Sequence, residues 1–123
     1  MPKLHFQRFD NPDLVRSLEL VLLPGLQLAF QQKPSYPNAR ELALGLLVFG
    51  HYQEAIPFYQ GLAERIPLQP ANWENLAMCH LGIHDLPGAL AAMRQALRVA
   101  HEIGDSTQED RLQKRCSQIV ASM

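Results

Sequence analysis

Residues 42–56 read LALGLLVFGHYQEAI, and residues 76–90 read LAMCHLGIHDLPGAL. Laid over each other without a gap, they place Leu42, Ala43, Leu47, Ala55 and Ile56 on Leu76, Ala77, Leu81, Ala89 and Leu90, an offset of 34 residues. The breaks coincide as well, with Gly50-His51-Tyr52 falling on His84-Asp85-Leu86. A period of this length marks a stacked repeat, and each unit reads as helix, short turn, helix.

Start and stop signals extend the pattern in both directions. Asn38 can cap the first helix of unit one, near Pro37, with Glu41 three residues on as its capping box, and Gly50 stops it. The second helix runs from about Tyr52 to Ile66, ahead of Pro67; Pro57 removes a backbone donor there, which predicts a late start or a bend. Unit two runs from Pro70 through Trp73 to His80, then from a capping Asp85, with Pro87 in the first turn, to Ile103 and Gly104. Ser106 and Glu109 form an S-x-x-E box that opens a last helix, whose apolar stripe is Leu112, Cys116, Ile119, Val120 and Met123. Upstream, Asn11-Pro12 starts a helical stretch up to Pro24-Gly25, and Leu26 to Phe30 continue after that kink or break. The connector 33–37 joins packing elements, so residues 1–123 read as a single domain. Its parts are an N-terminal helical segment (11–32), two units (36–69 and 70–103) and a C-terminal capping helix (106–122).

With these residues in place the pattern resembles the tetratricopeptide repeat. Unit two carries the family's signature at Trp73, Leu76, Ala77, Asp85, Leu86, Ala89, Ala96 and Leu97, and unit one at Leu42, Ala43, Gly50, Tyr52, Ala55, Ile56, Tyr59 and Pro67. Ala39 stands where unit one should have an aromatic, Leu62 replaces a small residue, and His84 replaces the turn glycine. The resemblance covers about residues 36 to 103. It implies an all-α fold: a right-handed α-α superhelix of antiparallel helix pairs with helical caps at both ends. In such a stack Ala43, Ala55, Ala77 and Ala89 let helices approach closely, while Trp73, Tyr59 and the leucines fill the space between them.

Composition agrees with a helical globule. The chain is 47% hydrophobic and 19% charged, which excludes a disordered tail, and its 7% aromatic content with few β-branched residues argues against a strand-built fold. Eleven basic and twelve acidic side chains leave a net charge of −1, so the field that draws proteins to nucleic acid or anionic lipid is missing. The longest apolar run, Leu42 to Gly50, is nine residues, against about 20 for a membrane span. Acidic residues at Asp10, Asp13 and Glu19 interrupt any signal-peptide core, and Cys79 and Cys116 make no disulfide framework. A reduced, cytoplasmic protein without membrane or nucleic-acid partner is expected.

Catalytic and metal chemistry find little support. His80 and His84 are four apart with Cys79 adjacent, but the repeat puts a turn at His84, so the two rings do not share a face. His101-Glu102 lacks the second histidine of a zincin motif, and no phosphate loop or nucleophile elbow occurs. The expectation is no enzyme, no metal and no cofactor. Arg94, Arg98, Arg111, Lys114 and Arg115 are interleaved with Glu102, Glu109 and Asp110 and read as a solvated face, with Arg98 and Glu102 one helical turn apart.

What remains is a groove. The resemblance puts the first helices of successive units on a concave face, lined by Arg40, Leu44, Leu47 and Val48 from unit one and Glu74, Asn75, Met78 and Leu81 from unit two. Family members that grip the acidic tail of a heat-shock chaperone use a ring of Lys, Arg and Asn. Here Arg40 and Asn75 fit, but Leu44 stands where an amide is needed and Asp105 and Glu109 where cations should be. An apolar lining with Met78 instead suits a hydrophobic or amphipathic polypeptide segment, in the manner of an adaptor, an assembly factor or a secretion chaperone. The alternative is a structural module that associates with itself. Residues 13–32 carry apolar side chains on nearly all sides, which predicts a homodimer or heterocomplex through that segment.

Overall fold

Among residues 12–123, the part of the chain that the computed structural model describes, six α-helices follow one another and no strand forms. They are α1 (Pro12–Gln32), α2 (Tyr36–Val48), α3 (Tyr52–Arg65), α4 (Pro70–Gly82), α5 (Leu86–Glu102) and α6 (Ser106–Ser122). The chain is all-α, as its composition predicts. Each helix packs on the next in sequence; the contact is most extensive between α4 and α5 and thins toward α1.

Helix boundaries repeat with the sequence period. Helices α2 and α4 begin at 36 and 70 and end at 48 and 82, while α3 and α5 begin at 52 and 86. The turns repeat as well. Phe49, Gly50 and His51 donate their backbone N–H groups to the carbonyls of Gly45, Leu47 and Leu46; Ile83, His84 and Asp85 do the same to Cys79, Leu81 and His80. A third copy joins Ile103, Gly104 and Asp105 to Val99, His101 and Ala100. This Schellman geometry satisfies the last carbonyls of a helix and needs one left-handed residue. Gly50, His84 and Gly104 supply it, at φ 82°, 61° and 74°. The residue after each is the N-cap of the next helix: His51, Asp85 and Asp105.

That register corrects two cap assignments. Asp105, and not Ser106, caps α6, its Oδ1 accepting from the Gln108 N–H at 3.1 Å. Ser35, and not Asn38, caps α2, accepting from the Asn38 N–H at 3.4 Å. The Asn38 amide turns back instead, donating to the carbonyls of Lys33 (2.9 Å) and Ala29 (3.3 Å) at the end of α1. Asp85 caps α5 as expected, through the Gly88 N–H at 3.0 Å.

Two prolines sit inside helices. Helix α1 runs unbroken through Pro24, and α3 starts at Tyr52 despite Pro57, so neither the break nor the late start occurs. Both prolines are exposed, which leaves room for their rings on the solvent side. Asn11, the other half of the start signal before α1, lies outside the described residues.

One core runs along the stack. Ala43, Ala55, Ala77, Ala89 and Ala96 are fully buried, with Tyr59, Met93, Val99 and Leu112 the bulkiest enclosed side chains among them. Trp73 is not one of these: it is half-buried, with its indole N–H donating to the Pro67 carbonyl at 3.3 Å. Helices α3 and α4 come so close at Gly82 that a Cβ there would overlap the ring of Tyr52, reaching its Cδ1 at 2.6 Å. Two substitutions near one turn should therefore shift equilibrium urea unfolding in opposite directions. Gly82→Ala is expected to lose roughly 1–3 kcal/mol by overpacking against Tyr52. His84→Gly, which relieves a left-handed non-glycine residue, is expected to gain about 1 kcal/mol.

Candidate functional site

The eight groove residues fall on the first helices of the two pairs, four on α2 and four on α4. On α2, Arg40, Leu44 and Val48 are exposed, with Val48 at 64%, while Leu47 is half-buried against the core. On α4, Glu74, Asn75, Met78 and Leu81 are all half-buried. The two helices are tied at their starts: the amide of Asn72, a buried polar residue, donates to the Tyr36 hydroxyl at 3.4 Å, and that hydroxyl donates to Gln69 Oε1 at 3.4 Å.

The α4 half of this face is shared with α6. Arg111 donates to Glu74 Oε1 through Nη2 at 2.7 Å, and Arg115 Nε lies 3.1 Å from Glu74 Oε2. The Glu74 side chain is only 15% exposed, so its charge is compensated by two guanidiniums from the last helix. The hydrogen bond to Glu74 raises the ionisation of Arg111 above its ordinary value. Arg115 also reaches Met78, with Nη1 at 3.8 Å from Sδ. Leu81 lines a depression of about 160 Å³ with Arg115, Ile119 and Met93. The structure thus joins Glu74, Met78 and Leu81 through α6 and leaves Leu44 and Val48 open on α2.

Sequence reasoning did not find Arg111 and Arg115 as part of this face. The signal was present, because α6 follows α4 as α4 follows α2 and a carboxylate on one helix then faces cations one helix on. Of the two acidic residues noted beside the groove, Asp105 is a cap and Glu109 accepts from His101 Nδ1 at 2.8 Å. Arg98 pairs with Glu102, as its spacing predicts.

The histidines are likewise engaged at turns. His80 Nδ1 is 2.9 Å from Asp85 Oδ2, and His51 Nε2 is 3.0 Å from Glu19 Oε1 on α1. His84 sits exposed in the turn itself. Among the described residues no three His, Cys, Asp or Glu side chains gather as a metal site. Both cysteines are free and buried. No described helix is long and apolar enough to cross a membrane.

No family model matches the chain, and no curated protein matches it significantly.

Burial holds the thiols in their neutral form, pushing Cys79 from the ordinary 9.0 up to about 11 and Cys116 in the same direction. The Tyr59 hydroxyl, buried without a hydrogen-bond partner among the described residues, is also raised, chiefly by desolvation. Each group thus keeps its proton in the folded state at a pH where the unfolded chain releases it. The Cys79 contribution to stability is complete below pH 9 and is lost as pH rises toward 11, with the loss from Tyr59 beginning near pH 10 and continuing above that window. Urea unfolding measured across that window should show falling stability, and Cys79→Ala should flatten the slope.

Proposed function

We propose that the chain is a small tetratricopeptide-repeat protein that holds a hydrophobic or amphipathic segment of another polypeptide, without catalysis or cofactor. It would act in the cytoplasm as an adaptor, assembly factor or secretion-type chaperone. The observation that carries the repeat reading is the recurrence of helix boundaries and turn hydrogen bonds at the 34-residue sequence period. A stack built this way aligns the first helix of each pair on one face, here α2, α4 and the cap α6.

The exposed part of that face favours a polypeptide over a small molecule. Leu44 and Val48 stand in the open on one helix, with Arg40 one turn before Leu44. Exposed side chains along a helix offer area and no enclosure, which suits a partner helix or strand and not a compact ligand. Met78 adds a flexible side chain that adapts to irregular apolar surfaces. Arg111 and Arg115 against Glu74, and Arg40 beside Glu41, leave a rim of mixed charge, so the apolar side chains are what a partner would engage.

Leu44 and Val48 are the residues to change, because Leu47 is packed against the core and its loss would also lower stability. With Leu44→Glu/Val48→Glu, the polypeptide that co-purifies stoichiometrically from the native source should be lost. The melting curve should stay close to wild type, since exposed substitutions move stability by about 0.5 kcal/mol or less. Undiminished partner retention by the double variant, or no partner on the wild-type chain, contradicts the proposal.

A further inference from the structure

Among the described residues, α1 meets α2 and α3 through one side. Leu23 is its one buried residue; Leu26 packs at Gly45 of α2, Phe30 meets Phe58 of α3 edge to face with centroids 5.3 Å apart, and Glu19 pairs with His51. These contacts turn the opposite face outward. There Leu18, Val21, Gly25 and Leu28 follow one another at steps of three, four and three residues, all exposed, with Val21 at 74%. That spacing is a helix-pairing seam. Leu22 and Pro24, both exposed, flank it on either side.

From this seam we infer that α1 pairs with α1 of a second copy of the chain, antiparallel about a two-fold axis level with Leu23. The register follows from side-chain size. Turned antiparallel about that axis, Leu18 meets the partner's Leu28 and Val21 meets the partner's Gly25, so large faces large and the branched residue fills the space beside the glycine. A Cβ on Gly25 would meet nothing within 4 Å in the single chain, so the space there is free. A parallel pair would set Gly25 against Gly25 and leave a void.

Charge and area both suit a second copy. Between Ser17 and Leu28 the one charged residue is Glu19, which is turned to His51, so two copies bring no like charges together at the seam. The exposed Leu18, Val21, Leu22 and Leu28 leave on the order of 400 Å² of apolar surface on this side of the helix, within the range of the largest patch on a monomer. Doubled across the axis and joined by the exposed Pro24 and Gly25, it approaches the ~1,000 Å² that a specific interface requires. Among the described residues, the helices that touch α1 meet it through Leu26 and Phe30, away from the seam. This interface is separate from the α2 face assigned to a polypeptide partner, and either can hold without the other.

Sedimentation equilibrium of the full chain at micromolar concentration should give twice the 13.9 kDa chain mass. Val21→Glu/Leu28→Glu should halve that mass with helical circular dichroism unchanged, both residues being exposed, while Leu44→Glu/Val48→Glu should stay dimeric. Cysteine pairing tests the register. Leu18→Cys/Leu28→Cys should form a covalent dimer under mild oxidation, and neither single variant should, because residues 18 and 28 lie about 15 Å apart along the helix and a disulfide spans about 6 Å between Cα atoms. The native Cys79 and Cys116 are buried and free and leave little background. A stable monomer, covered by another segment of its own chain or by a different protein, overturns the proposal. Cross-linking of each single variant to itself overturns the antiparallel register.

Discussion

Helix α4 lies between α3 and α5 at a close approach that small buried side chains permit, and the rest of the fold depends on it. Ala55, Ala77, Ala89 and Ala96 are fully enclosed, and Gly82 leaves no room for a Cβ beside Tyr52. At this separation the larger residues have defined gaps to fill, and Tyr59 and Met93 occupy them completely. Short Schellman turns follow from the same constraint, since a two-residue reversal is what lets a helix return directly onto its predecessor. Contacts then run between sequence neighbours, so the stack has two ends instead of a closed surface.

Those two ends differ. At the C-terminal end α6 buries Leu112, Cys116 and Ile119 and ties itself to α4 through Arg111, Arg115 and Glu74. At the N-terminal end α1 buries Leu23 alone and presents leucines to solvent. An outer face that is apolar leaves that end open to further packing. The polar and charged outer side of α6, by contrast, closes the other end.

Much of this was legible in the sequence because the repeat compares the chain with itself. The period located α4, α5 and the turn residues, and it placed His84 in a turn, which separated it from His80. The misreadings came where a residue acts over a distance or a face that periodicity does not show. Asn38 has the chemistry of a cap, yet its amide is spent on carbonyls of the preceding helix, and Ser35 takes the role. Ser106 and Asp105 are both good caps; the turn register, in which the residue after the left-handed one is always the cap, decides between them. Pro24 and Pro57 signal breaks by composition but lie on solvent-facing sides, where a missing backbone donor is tolerated. The Glu74 cluster joins residues 37 and 41 positions apart, which only the succession of α2, α4 and α6 along one face could have revealed.

If buried alanines set the helix spacing, enlarging one must lower the stability read from equilibrium unfolding. Ala77 is fully buried in α4, and Ala71 is exposed on the same helix. Ala77→Leu is expected to lose roughly 1–3 kcal/mol, as overpacked cores do, while Ala71→Leu stays within about 0.5 kcal/mol of wild type. Equal stability of the two variants would contradict it.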